Sequence, residues 1–154
     1  GGVVGGGRPD NGSGYEFSIG YTPSMDQHRY TELPDSMVVS WFSYAEKQFY
    51  AANIHFSPDI KKQMMTPYVS NCWTKKRTLY HNQIVIGLAP GGYVKVWGKG
   101  GCGDKEILVG KFKGWKMVES ITGTKSYQLR EQTEEYHKKF ADILAKPIPY
   151  EKWK

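Results

Sequence analysis

The sequence predicts an α+β fold, mainly an antiparallel β-sheet or sandwich with one short helix and a C-terminal helix packed on it. Three observations lead to this prediction. Segments rich in β-branched and aromatic residues alternate with turn residues through most of the chain. One short segment opens with a Ser-Pro pair that suits a helix start. The final segment repeats apolar residues at helical spacing instead.

Length and composition indicate one folded domain. The chain has 154 residues, of which 39% are hydrophobic and 14% aromatic, enough apolar surface for a single core. Seven of the 18 glycines fall in residues 1–14. We interpret this stretch as a flexible tether or a remnant of cloning, and we assign residues 15–154 to a single β-rich domain.

The strands are predicted from alternating or continuous apolar residues bounded by turns. Residues 37–44 and 48–56 are close enough in sequence to form an antiparallel hairpin. The run Ile84-Val85-Ile86 predicts a strand buried on both faces. Segments with strand character cover residues 15–21, 37–44, 48–56, 78–88, 93–97, 106–112 and 115–118.

Two helices are expected. Ser57 can cap the first free amides and Pro58 suits the first turn, which predicts a short helix over residues 59–65. A longer helix is predicted over residues 126–145, because apolar residues recur there at helical spacing. The side chains expected to pack on the sheet are Leu129, Tyr136, Phe140 and Ile143.

The two cysteines, Cys72 and Cys102, leave two alternatives open: separate buried thiols or a disulfide. Their spacing does not match a zinc site, and no metal or other cofactor is predicted. We predict the disulfide, in a protein of an oxidising compartment. Closing a loop of this length would stabilise the fold by about 3 to 4 kcal/mol in the chain-entropy model.

No local catalytic signature occurs, and no catalytic residue is predicted. Residues 98–103 satisfy the spacing of a phosphate-binding glycine loop, but the residues that follow predict a strand rather than a helix, so this is a turn. The protein is therefore not expected to be an enzyme. A hydrolase whose site is assembled from distant residues around one of the four histidines stays open as an alternative.

The formal net charge of +6 does not predict nucleic-acid binding. Lysines and arginines are scattered, with a short cluster at residues 75–77, whereas nucleic-acid binding needs a continuous basic face.

A partner-binding surface is predicted around the turns at residues 89–92 and 98–105. Turns project from a sheet and can enter a partner's cleft, and alternate residues of the strand between them share one face. The alternative is that these are ordinary hairpin turns and that the tryptophans pack in the core. The predicted partner-binding residues are Pro90, Gly91, Gly92, Tyr93, Lys95, Trp97, Lys99 and Lys105.

Three segments resemble a bacterial family of small lipoproteins of unknown function: residues 33–41, the Tyr50-Ala51-Ala52 strand with its Ser57-Pro58 helix start, and residues 87–97. The resemblance covers roughly residues 15–118. Members of that family look like exported proteins with a lipid on an N-terminal cysteine, and some are encoded beside type VI secretion effectors, particularly lipases.

The resemblance implies a periplasmic immunity protein that binds and neutralises a secreted antibacterial effector, such as a phospholipase. The sequence has no lipidation cysteine near its start, so any contact with a membrane is expected only through an anchor removed with the export signal. The alternative function is a carbohydrate- or lipid-binding β module of the cell envelope. Shape separates the two, because a sugar site needs a groove with exposed coplanar rings.

Overall fold

The computed structural model describes the backbone of residues 17–21 and the whole of residues 33–72, 75–81, 83–102 and 106–154. The predicted tether over residues 1–14 and the predicted contact residue Lys105 lie outside these ranges.

Nine strands and three α-helices make up the described part of the chain. The strands are β1 Phe17–Tyr21, β2 Ser36–Ser43, β3 Gln48–His55, β4 Tyr68–Cys72, β5 Lys75–Leu79, β6 Gln83–Ala89, β7 Tyr93–Lys99, β8 Ile107–Lys113 and β9 Trp115–Met117. The helices are α1 Pro58–Met65, α2 Arg130–Lys139 and α3 Ala141–Leu144, with 3-10 turns at Ser126–Leu129 and Tyr150–Trp153.

The strands form three antiparallel sheets. A four-stranded sheet has the order β1-β6-β7-β8, a three-stranded sheet has the order β2-β3-β9, and β4 and β5 form a two-stranded sheet. Within the four-stranded sheet, β6, β7 and β8 are consecutive in sequence and pair as two successive hairpins. The predicted α+β class, with mainly antiparallel strands and a C-terminal helical segment, is confirmed.

The main core joins the two larger sheets. Trp41 and Tyr50 of the three-stranded sheet belong to the same buried cluster as Val94 and Val96 of the four-stranded sheet. The Trp41 and Tyr50 rings stack with centroids 5.5 Å apart. Met64 of α1 is fully buried in this cluster. The sandwich thus uses the inward side chains of both sheets as one apolar layer.

The short helix forms as predicted. The Ser57 side chain accepts a hydrogen bond from the Ile60 amide at 3.2 Å, and Pro58 occupies the first turn. The first amides of a helix have no partner within the helix. Ser57 pairs with one of them, and Pro58 has no backbone N–H to satisfy.

The C-terminal helices pack on the other face of the three-stranded sheet. Leu129 joins Phe42 and Phe49 in a second buried cluster, and the Tyr136 ring stacks on Tyr44 with centroids 5.5 Å apart. All four residues predicted to pack there are buried: Leu129, Tyr136, Phe140 and Ile143.

The predicted continuous helix over residues 126–145 is divided. Phe140 leaves the helical backbone at φ −112° and ψ 26° and separates α2 from α3. Its ring contacts that of Tyr136, with centroids 4.8 Å apart. Tertiary packing of the rings overrides the helical propensity of the neighbouring residues here.

A second difference lies between α1 and β6. The sequence predicted one strand over residues 78–88, whereas the structure forms the hairpin β4-β5 and then starts β6 at Gln83. Residues 75–78 are exposed on both faces of β5, so they lack the apolar alternation that marks a half-buried strand. The strand β6 is also not buried on both faces, because Ile84 and Ile86 are buried while Val85 is half-buried.

Candidate binding face

Cys72 and Cys102 form a disulfide, as predicted, with their Cα atoms 5.3 Å apart. The bond joins the last residue of β4 to the connection between β7 and β8. It therefore fixes the two-stranded sheet to the end of the four-stranded sheet.

The outer face of the four-stranded sheet carries the predicted aromatic and basic side chains. Along β7, Val94 and Val96 point inward and are buried, while the intervening side chains point outward and are half-buried. Cross-strand pairing with β8 adds further residues to this outer face. We call this surface the lysine face, and it comprises Tyr93, Lys95, Trp97, Lys99, Leu108, Lys111 and Lys113.

The lysine face carries unbalanced positive charge. Strands β6, β7 and β8 contain four lysines and no acidic residue. Lys95 and Lys111 lie directly opposite each other across the strand pair, an arrangement of like charges that destabilises a sheet. Within the part of the chain that the structure describes, Lys99 pairs with Glu106 at 3.1 Å, whereas Lys95 and Lys111 have no acidic partner.

Aromatic rings hold two of these lysines in place. The Lys95 Nζ lies 5.1 Å from the centroid of the Trp97 ring, and the Lys113 Nζ lies 5.0 Å from that of Tyr93. Trp97 itself lies against the neighbouring strand at Gly87, where an added Cβ would sit 3.0 Å from the ring. These cation–π contacts favour one position for each of the two ammonium groups.

The turn at residues 89–92 is packed into the fold rather than projecting from it. Pro90 and Gly92 are buried. Gly91 and Gly92 have φ values of +88° and +83°, a region that glycine enters without steric cost. A Cβ on Gly92 would lie 2.9 Å from the Tyr50 ring. The structure gives this turn a packing role, and its contact with a partner stays a prediction.

Glu46 closes the same turn from the β2-β3 connection. Its Oε1 accepts hydrogen bonds from the Gly91 amide at 2.9 Å, the Tyr50 hydroxyl at 2.8 Å and the Tyr150 hydroxyl at 3.0 Å. Burial, followed by the hydrogen bond to Glu46, raises the pKa of Tyr50. The Tyr50 hydroxyl therefore keeps its proton at neutral pH and donates it in the hydrogen bond to Glu46. Through these three hydrogen bonds, the Glu46 Oε1 connects the segments that carry Tyr50, Gly91 and Tyr150.

The predicted contact residues thus divide between two environments. Tyr93, Lys95, Trp97 and Lys99 share the outer face of the sheet, whereas Pro90, Gly91 and Gly92 belong to the closed turn. The prediction omitted three members of the lysine face: Leu108, Lys111 and Lys113.

The signal for the two omitted lysines was present in the sequence. Lys111 and Lys113 alternate with inward residues of β8, and antiparallel pairing with β7 places them beside Lys95 and Tyr93. Leu108 was harder to place, because a register shift between Val96 and Trp97 brings it opposite Trp97.

A concave region with a volume of about 640 Å³ lies beside the C-terminal helices. Three of its polar residues have partners: Arg130 pairs with Glu134 at 3.2 Å, and the His137 Nε2 lies 2.7 Å from the Tyr44 carbonyl oxygen. The lining residues are Phe42, Lys47, Ser126, Tyr127, Arg130, Thr133, Glu134 and His137.

Among the described residues, no group of three or more His, Cys, Asp or Glu residues is arranged to hold a metal ion. No helix in the described ranges has the length and apolar character needed to cross a membrane.

Comparison with known proteins gives a family without an assigned activity. No curated protein and no solved structure matches the chain. One family model matches residues 3–151, which is nearly the whole sequence. The chain therefore belongs to the family described as Protein of unknown function (DUF2931).

Proposed function

We propose that this protein is a binding module that recognises an acidic surface of a partner protein through the lysine face. The direct opposition of Lys95 and Lys111 carries this proposal. Two like charges at a paired position lower sheet stability, and a carboxylate of an acidic partner placed between them would offset that repulsion by attracting both. The half-buried Trp97, whose ring lies under Lys95 and against Gly87 of β6, supplies the kind of aromatic anchor that contributes strongly to protein interfaces.

More specifically, we propose that the partner is a secreted antibacterial effector, such as a type VI lipase, which this protein neutralises in the periplasm. The family resemblance supports this assignment, as does the disulfide, which is typical of oxidising compartments. In this proposal the full-length precursor is held at a bacterial membrane by a lipid anchor.

The arrangement of the two rings favours an acidic partner over a sugar. Lys95 covers the Trp97 ring and Lys113 covers the Tyr93 ring. A carbohydrate would have to displace these ammonium groups to stack on the rings, whereas acidic side chains could pair with them where they already lie.

The test is calorimetric titration of the chain with the purified product of the adjacent gene. Lys95→Glu combined with Lys111→Glu should weaken binding at least about tenfold, because two favourable charge contacts become repulsive. The matched control is Lys138→Glu with Lys146→Glu, which changes the net charge equally at two exposed positions away from the sheet.

Each outcome has a distinct meaning. Absence of binding by the unmodified chain would remove the immunity assignment. Equal weakening by both pairs of substitutions would show that only net charge matters and that the lysine face is not the site. Tighter binding to a single-stranded oligonucleotide than to the protein would replace the protein partner with nucleic acid.

A further inference from the structure

A second charged element lies outside the lysine face, in the hairpin formed by Tyr68–Cys72 and Lys75–Leu79. We call it the basic hairpin. Residues 60–103 contain seven lysines and arginines and no acidic residue, so this stretch carries a formal charge of +7 and the rest of the chain a formal charge of −1. Three of the seven are consecutive at Lys75, Lys76 and Arg77, and all three are exposed.

The basic hairpin presents its cations on both faces. Residues paired across antiparallel strands share a face. Lys76 pairs with Asn71 and lies on the same side as the pair Val69 and Thr78, whereas Arg77 pairs with Ser70 on the opposite side. No acidic side chain among the described residues forms an ion pair with Lys76 or Arg77.

Contacts of the face that carries Tyr68 and Cys72, which is also the face of Arg77, fix the hairpin in position. The Tyr68 ring stacks on His81 with centroids 4.5 Å apart, and the Tyr68 hydroxyl occupies the space that a Cβ on Gly100 would need. The disulfide holds Cys72 to Cys102 at the other end of β4. The exposed cations are thus carried on a ribbon anchored at both ends of one strand, which lowers the entropy lost on binding.

We propose that the basic hairpin is a docking element for an acidic surface of a partner protein, and that the Cys72–Cys102 disulfide keeps it in the binding conformation. The face of Lys76 is open, because Val69 and Thr78 beside it are also exposed. A partner that covers this open face can also reach the exposed Arg77 at the outer edge of β5. This inference rests on the proposed function in taking the partner to be a protein, but it concerns a different surface.

The test uses the full 154-residue chain, labelled with ¹⁵N and titrated with poly-L-glutamate as the probe. Amides of β4 and β5 should shift. Lys76→Gln and Arg77→Gln should each weaken binding about two- to fivefold, the range expected for exposed ion pairs. The matched control is Lys62→Gln, an exposed lysine of α1 in the same acid-free stretch, which should leave the affinity unchanged.

Breaking the disulfide gives an independent readout. Dithiothreitol, or the pair Cys72→Ser and Cys102→Ser, should weaken probe binding at least about threefold while the amides of β7 keep their native shifts. Unchanged affinity in both the reduced and the substituted protein would overturn the anchoring role.

Four other outcomes overturn the docking proposal. They are an absence of shifts, shifts confined to the lysine face, loss of affinity with only one of Lys76→Gln and Arg77→Gln, and tighter hairpin binding to phosphatidylglycerol vesicles than to poly-L-glutamate. Shifts confined to the lysine face would still support the proposed function, so the two proposals fail separately.

Discussion

The β6-β7 turn and the basic hairpin use opposite chemistry at the surface of the same molecule. The turn is rich in glycine and is buried against Tyr50, with its Gly91 amide hydrogen-bonded to Glu46. The hairpin is rich in lysine and leaves residues 75–78 exposed. The sequence prediction took the glycine turn for the projecting element. Glycine at positive φ here marks a close approach between segments, and it is the charged strand that stays exposed to solvent.

This contrast has a direct energetic meaning. A closed turn contributes to stability, so substitutions there should affect unfolding. An open hairpin contributes little to the core, so substitutions there should affect binding and leave unfolding nearly unchanged. Three pairs of variants test this difference through their free energies of unfolding.

Gly92→Ala should have the largest effect. Its φ of +83° and the 2.9 Å approach of a Cβ to the Tyr50 ring combine backbone strain with overpacking in the core, so we expect a loss of about 2 to 5 kcal/mol. The measurement is the free energy of unfolding in urea. Gly123→Ala is the matched control, because its φ is +87° but no atom lies within 4 Å of the added Cβ. Equal losses for the two variants would mean that the turn is not tightly packed.

Glu46→Ala should come second. It removes the acceptor for three hydrogen bonds and leaves the buried Tyr50 hydroxyl unpaired, which should cost about 1 to 3 kcal/mol. Thermal unfolding followed by circular dichroism measures the loss. Glu135→Ala, at an exposed position of α2, should change stability by less than about 0.5 kcal/mol. A Glu46 variant as stable as the Glu135 variant would contradict the closure of the turn by this carboxylate.

Val69→Thr in the basic hairpin should have the smallest effect. Val69 is 69% exposed, and threonine keeps the branched shape that suits a strand, so the change should stay within about 0.5 kcal/mol. The same substitution at Val96, which is fully buried, should cost about 1 to 3 kcal/mol, because its hydroxyl has no water to bind. Urea unfolding of both variants provides the comparison, and a large loss at position 69 would show that the hairpin belongs to the core.

The difference between buried and exposed segments also explains which elements could be predicted from the sequence. Apolar alternation identified the β2-β3 hairpin and the strands β7 and β8, and Ser57 with Pro58 identified α1, because each signal reports burial or a local cap. The disulfide was also predicted correctly. The β4-β5 hairpin was missed because Lys75 to Thr78 are exposed on both faces and carry no pattern of burial.

The candidate site shows the same limit. Lys95 and Trp97 could be placed on one face from the period of a strand, but their neighbours Lys111 and Lys113 required the pairing register. The closure of the glycine turn depends on Glu46, which is 45 residues away in sequence from Gly91. A contact of that separation leaves no local signal.

The carboxylate of Glu46 also sets an order of events during folding. Its donors lie 4, 45 and 104 residues further along the chain, at Tyr50, Gly91 and Tyr150. When the chain emerges from its N-terminus, from the ribosome or from an export channel, the Glu46 Oε1 therefore lacks its third donor until Tyr150 has emerged. Contacts of such long sequence separation slow folding. The turn that fixes the end of the lysine face is consequently among the last parts of the molecule to acquire its full set of hydrogen bonds.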